Sequence, residues 1–336
     1  MKLGQSIATV LTATNHGGKP VTIAQHQGET DDGPYRFWRV SDTLPCGSSV
    51  STPHQTLDGA LRHVDRVATT TTLTRTMAVV DAFRARIRAG ERFTMKDQCA
   101  MVREGRNLDA VCIQAALILE GKRKVLTTSQ TKLDKANGAT TGFVNRGLTL
   151  ATSREATPFL GSAFDACVGA TEACRMACVG SRTGQGRLAS SAIARIGRTI
   201  ALHGATETFW TFYDREVRRE VKRAARKGYR LALRVNVASD HAHVAARSAA
   251  AHPDVEHYDY TAIAANMRRD DGVRRVYSLK DGAQRRMLAK RMLSEGRGLA
   301  VVFAASARRK EPLPAKWNRA PVIDGDLHDL WFLQAP

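Results

Sequence analysis

Cys167, Cys174 and Cys178 are separated by six and by three residues. Three thiolates that close on one another can hold zinc with a fourth ligand, or three irons of a cubane cluster with one iron left open. Neither gap is that of a zinc ribbon, and the three-then-two order of radical enzymes is absent, so the segment reads equally as three small buried side chains in an Ala-rich stretch. A second set of residues follows apolar runs in the C-terminal half. Asn236, Ser239 and Asp240 follow residues 231–237; Asp259, Tyr260 and Thr261 end 255–260; Ser278 ends 275–279; Ser306 follows 299–304; Asp324 and Asp326 follow 321–323. Clustered carboxylates repel unless a cation or substrate offsets them, so Asp240, Asp259 and Asp324 are the candidate metal or acid–base groups. Asn236, Ser239 and Tyr260 are candidate orienting groups, and Arg195, Arg198 and Arg234 candidate phosphate contacts. The competing reading is that Asp, Ser and Asn follow strands as ordinary helix caps and turn formers.

A third pattern is His241-Ala-His243 with Tyr258 and Tyr260 downstream. Two imidazoles on a divalent cation and a tyrosine attacking a phosphodiester is the chemistry of rolling-circle initiators. The pattern is short, in a chain with 10 His.

The elements that must position these groups alternate. Residues 207–226 place Trp210, Tyr213, Val217, Val221 and Ala224 on one helical face, with Arg and Lys on the others and Thr206 as cap. The five runs above alternate with helix-period stretches through 283–295, which predicts an α/β fold with a parallel sheet or a partial (β/α) barrel. Ligands bind at the carboxyl ends of such strands. Residues 1–53 read as an irregular β-rich region and 54–135 as helical. A Thr94 cap, a turn at 105–107, a helix over 108–120 and the basic run Lys122-Arg-Lys124 have the order of a winged helix-turn-helix. The 108–120 stretch is almost wholly apolar, so a buried helical hairpin is the alternative. Residues 136–150 read as a linker, and 151–336 as the α/β domain.

Lys plus Arg number 51 against 32 Asp plus Glu, a formal charge of +19 in 336 residues. Such a balance favours polyanionic partners. Between Arg182 and Arg230 there are 12 basic and four acidic residues, with Phe209, Trp210, Phe212 and Tyr213 interleaved. No apolar run approaches the ~18 residues needed to cross a bilayer, and the first 20 residues lack an export signal. Six Cys point to a reducing compartment, so the expected location is the cytoplasm and no membrane partner is expected.

The run from Cys167 to Cys178, the segment through Arg195 and Arg198, Arg234-Val-Asn-Val-Ala-Ser-Asp240, Tyr258-Asp-Tyr-Thr261, Tyr277-Ser278, Gly298-Leu-Ala-Val-Val-Phe303 and Val322-Ile-Asp-Gly-Asp326 resemble, in order, the phage gene-product-88 family. The resemblance runs from about Leu148 to the C-terminus. It departs from the family pattern at His241-Ala-His243, and it leaves residues 1–147 outside. It implies a phage, plasmid or other mobile-element setting, with the host cytoplasm as location, and no particular reaction.

Charge, strand-end carboxylates and resemblance together point to a nucleic-acid-binding protein. It would be a metal-dependent DNA-processing or replication protein using Mg²⁺ or Zn²⁺. Two alternatives stand beside it: a zinc or iron–sulfur enzyme built on the three cysteines, and a non-catalytic DNA-binding regulator using the helical region.

Overall fold

Short apolar runs alternating with helix-period stretches require parallel strands joined by crossovers, and the computed structural model of the chain has that α/β arrangement in its C-terminal half. It describes side chains from residue 72 onward except at 128–132, 162–163, 179, 304–311, 326 and 334–336, and over 6–71 it describes backbone elements alone. Ser306 and Asp326 therefore lie outside the described residues.

The chain divides into two compact units, Met1–Val79 with Ala156–Phe164, and Val80–Glu155 with Asp165–Pro336. In the first, β1 (Ser6–Thr14), β2 (Pro20–Thr30), β3 (Gly33–Thr43) and β4 (Ser49–His54) pair as an antiparallel sheet in chain order. The β-rich region is thus a regular meander. α1 (Leu57–Arg88) is one helix of 32 residues within the stretch read as helical. Within the first unit, the Thr76 hydroxyl donates to the Phe159 carbonyl at 2.8 Å.

In the second unit, Thr94 caps α2 (Met95–Arg103) as the sequence predicts: its hydroxyl accepts from Asp97 N, and the Asp97 carboxylate accepts from Thr94 N. The capping box satisfies two otherwise orphaned donors. α3 (Asn107–Leu119) is buried at every position from Ala110 to Leu119. It packs against α7 (Ala189–Gly204) so closely that a Cβ on Gly197 would come within 2.6 Å of Gln114. A helix sealed in this way has no free face for a major groove. Residues 122–126 form no strand, so the wing of the predicted winged helix-turn-helix is not found and its recognition helix, α3, is buried.

After α4 (Thr131–Asp134) comes β5 (Phe143–Gly147), inside the stretch predicted as a linker. Its Gly, Thr and Asn flanks disguise a strand in which only Phe143 and Val144 are large and apolar. α5 (Thr157–Leu160) belongs to the first unit. The chain then runs through α6 (Glu172–Met176), α7, α8 (Thr206–Ala225), β6 (Arg230–Arg234), α9 (Ala242–Ala251), β7 (Glu256–Thr261), β8 (Val273–Ser278), α10 (Ala283–Ser294) and β9 (Leu299–Ala300). α8 buries Trp210, Tyr213, Val217 and Ala224, the predicted face. Its N-cap is Ala205; the Thr206 hydroxyl donates instead to the Leu202 carbonyl. The predicted strand at 321–323 is not part of the sheet: β10 (Lys316–Trp317) and β11 (Ala320–Pro321) form a separate antiparallel hairpin. Asn318 and Arg319, at φ 46° and 70°, make its two-residue turn.

The five parallel strands lie in the order β5-β6-β7-β8-β9. Sequential order with crossovers of one hand sends every connecting helix to the same face. Register and contacts agree. Arg146, His257 and Tyr277 point to the helices, meeting Glu220 of α8, Ser248 of α9 and Ala289 and Met292 of α10 respectively. The opposite face carries Asn145, Arg234, Tyr258 and Tyr260. It is covered by the C-terminal segment, where Leu330, Trp331 and Phe332 pack on Phe143, Ala232 and Tyr258.

Candidate functional site

The polar residues at the ends of β6 and β7 come together in one hydrogen-bonded network. Asn236 Nδ2 donates to Asp259 Oδ2 at 2.5 Å and to the His241 carbonyl at 3.1 Å, while Asn236 Oδ1 accepts from Ser239 Oγ and His241 N. Asp240 Oδ2 accepts from Thr261 Oγ1 and Ala262 N, tying the β6 loop to the end of β7. Burial pushes Asp259 up to about 7, against the Asn236 hydrogen bond and the Arg234 charge, with Asp240 adding to the rise. Burial also raises Asp240. A carboxyl raised as far as Asp259 can exchange protons near neutrality.

The cysteine segment lies over these strand ends. Cys167 Sγ is 3.5 Å from the Ala238 carbonyl and 3.4 Å from Ser153 N, and a Cβ on Gly169 would touch Ala262 and Ile263. Asp165 accepts from Arg175 and from Cys167 N. Burial drives the Cys167 thiol up to about 11, which favours the protonated form over a thiolate. Cys174 sits in the first turn of α6, capped by Thr171. Among the described residues no three His, Cys, Asp or Glu side chains are grouped to hold a metal ion. Nearby, His241 stands between His203 and His243, with ring centroids 5.9 and 5.4 Å apart. Burial, with the neighbouring imidazoles, lowers His203 and His241 to about 4.

On the opposite face, Arg234 donates to both oxygens of Asp329, at 2.9 and 3.1 Å, and lies 4.4 Å over the Tyr260 ring. Tyr258 OH bonds Asp329 Oδ2 and Asn145. Tyr258 is fully buried, which closes it to attack on a phosphodiester. Arg234 is therefore a paired structural cation, as is Arg195, which forms a bidentate pair with Glu155 and donates to the Gly186 carbonyl. Arg198 points inward toward the Thr149 carbonyl, and burial lowers it to about 10. None of these three guanidinium groups faces solvent as a phosphate contact would. Asp324 follows the β10–β11 hairpin rather than a strand of the sheet. The carboxylate that joins Arg234, Tyr258 and Tyr260 is Asp329, which the sequence reading missed; its one signal is an acidic residue directly before Leu330-Trp-Phe332.

A different surface gathers free cations. A groove of about 200 Å³ is lined by Gly121, Lys122, Arg123, Lys124, Glu216, Arg219, Glu220 and Arg223. A second, of about 560 Å³, is lined by Arg146, Arg223, Arg226 and Lys227. The two carboxylates here are already engaged. Glu216 Oε2 accepts from Val125 N at 2.7 Å and Leu126 N at 3.3 Å, and Glu220 pairs with Arg146 and Arg223. Among the described residues, Lys122, Arg123, Lys124, Arg219, Arg226 and Lys227 have no carboxylate within ion-pair distance. Of this set the sequence reading singled out only Lys122, Arg123 and Lys124, as the basic run after the apolar helix; the cations of α8 and the turn after it were visible among 12 basic residues in 182–230.

No helix among the described residues is long and apolar enough to cross a membrane. Comparison with the curated proteins and with the solved structures gave no match. A family model described as Gene product 88 matches residues 122–335, beginning at the basic loop, some 25 residues ahead of the resemblance seen in the motifs, and so taking in β5. That span is well over half of the chain and holds the whole parallel sheet, its strand-end network and the basic grooves: the chain belongs to the phage-associated gene product 88 family.

Proposed function

We propose that this chain binds nucleic acid on the basic face made by the 121–124 loop, Arg146 and the C-terminal half of α8. One observation carries the reading: two adjoining grooves are lined by eight Lys and Arg side chains, of which only Arg146 and Arg223 are paired, both with Glu220, while Glu216 is turned to the backbone of Val125 and Leu126. Cations left without carboxylates bind phosphates by releasing condensed counterions. Fluorescence anisotropy with a labelled oligonucleotide tests it. Binding that weakens steeply with salt, and at least 10-fold in Lys122→Gln/Arg123→Gln/Lys124→Gln, is expected; binding equal in the triple variant would refute the assignment.

A second reading, acid–base chemistry at the strand ends, is favoured by Asp259, whose buried carboxyl rises to about 7 beside Asp240. A group titrating near neutrality is suited to proton transfer. Asp259→Asn and Asp240→Asn should then abolish any nucleic-acid cleavage the wild-type protein performs. Full cleavage by both variants would end this reading.

A further inference from the structure

Arg223 lines both basic grooves, so the two are one continuous track rather than two pockets. Arg219 and Arg223 on α8 and Arg226 and Lys227 in the turn directly after it fall at intervals of four, three and one, a stripe of about 12 Å at helical rise. That length matches the axial rise of roughly three to four phosphates on one strand of B-DNA. The 122–124 loop, held at Glu216, sets three further cations beside the stripe. A track of this length with charges along it fits a polymer backbone and leaves most of itself idle against a single phosphate.

The aromatics of α8 are elsewhere. Phe209 and Tyr213 are fully buried, Trp210 nearly so, and Phe212 lies beneath Arg215 and against Gly121. No aromatic side chain is among the residues lining either groove. Proteins that hold single strands stack bases on exposed rings, and base-specific duplex readers place a helix or ribbon in the groove. Here α3, the apolar helix next to the basic loop, is sealed in the core.

We infer that this track binds the phosphate backbone of a nucleic-acid duplex, independently of base sequence. The inference rests on the nucleic-acid reading above and gives it a substrate class. The test compares 20-base-pair DNA duplexes of two unrelated sequences, a 20-nucleotide oligo(dT) strand and ATP as competitor, across a salt series. Both duplexes should bind within about threefold of each other and at least 10-fold tighter than oligo(dT), and ATP should not compete. Arg223→Ala/Arg226→Ala, at exposed positions, should weaken duplex binding at least 10-fold. It should also lower the slope of log affinity against log salt by about 2, since each phosphate contact contributes about 0.9. Arg286→Ala/Lys290→Ala, which removes the same charge from α10, should leave both unchanged. Tighter binding of oligo(dT), a strong preference between the two duplexes, competition by ATP, or equal losses in the two double variants would each overturn the duplex track while leaving nucleic-acid binding in place. No binding to either form of DNA would overturn the nucleic-acid reading itself.

Discussion

The strand-end region and the α8 surface are both rich in arginine, and they use it in opposite ways. Arg195 is buried in a bidentate pair with Glu155, Arg234 gives one nitrogen to both oxygens of the buried Asp329, and Arg275 is buried against Asp271. On α8 and in the turn after it, Arg219, Arg226 and Lys227 stand in water, and the nearby carboxylates are occupied by backbone or by other arginines. The chemistry of the side chain is the same in both places. A guanidinium already bound to a carboxylate in a dry site holds the fold together, and one without such a partner remains available to a phosphate.

Removing one partner from the buried class should give the largest effect. Asp329→Ala strands Arg234 without its anion and removes an acceptor from Tyr258, so a loss of about 3–5 kcal/mol in unfolding free energy is expected. Denaturant titration measures it, and a loss below about 1 kcal/mol would erase the distinction between the two arginine classes.

The next effect concerns acid. Burial lowers His257 to about 4, and one of its ring nitrogens contacts Ser248 and the other the Val255 carbonyl. A folded value below the unfolded 6.5 means the stabilisation is present above about pH 6.5 and is lost as pH falls through 4. The contribution is on the order of 3 kcal/mol. His203 and His241 act in the same direction. Unfolding free energy should therefore fall between pH 6.5 and 4, and His257→Asn should flatten that slope; an unchanged slope would contradict it.

Asp259 runs the other way. Its folded value of about 7 lies above the unfolded 3.8, so its contribution is complete below about pH 4 and fades as pH rises through 7. Asp259→Asn should gain stability relative to wild type as pH goes from 5 to 8. Thermal melts at the two pH values decide this, and a constant difference between the proteins would count against a buried, titrating carboxyl.

The smallest change in stability should come from the exposed class. Arg226→Ala/Lys227→Ala should stay within about 0.5 kcal/mol of wild type, as surface substitutions do, while weakening polyanion binding several-fold. A large stability loss would show that these cations have structural partners after all.

The sequence made half of this legible. The strand–helix alternation from 231 to 295 placed β6, β7, β8, α9 and α10 because each strand carries apolar residues and each helix its period. β5 escaped notice because its inward residue is Asn145 and its flanks are turn formers, so its strand character comes from pairing with β6 rather than from its own pattern. The wholly apolar 108–120 segment already argued for burial, and α3 is buried. For the site, Asn236, Ser239, Asp240 and Asp259 were found by their place after strands. Asp329 was not, since it reaches Arg234, Tyr258 and Tyr260 on the other face of the sheet from the C-terminal segment. Arg195, Arg198 and Arg234 looked like surface cations because sequence shows a charge and not its partner. Glu155, 40 residues away from Arg195, and Asp329, 95 residues away from Arg234, decide that matter.

Glu216 gives the basic loop a property that charge alone does not. Its carboxylate, on α8, receives the backbone N–H groups of Val125 and Leu126 directly after Lys122-Arg-Lys124. The loop is thereby anchored to the same helix that bears the stripe. A floppy basic arm must surrender its backbone freedom each time it meets a partner, whereas this one surrendered it when the chain folded. Loop and helix meet a polyanion as a single preorganised surface, and cutting the anchor should weaken association through entropy without removing one positive charge.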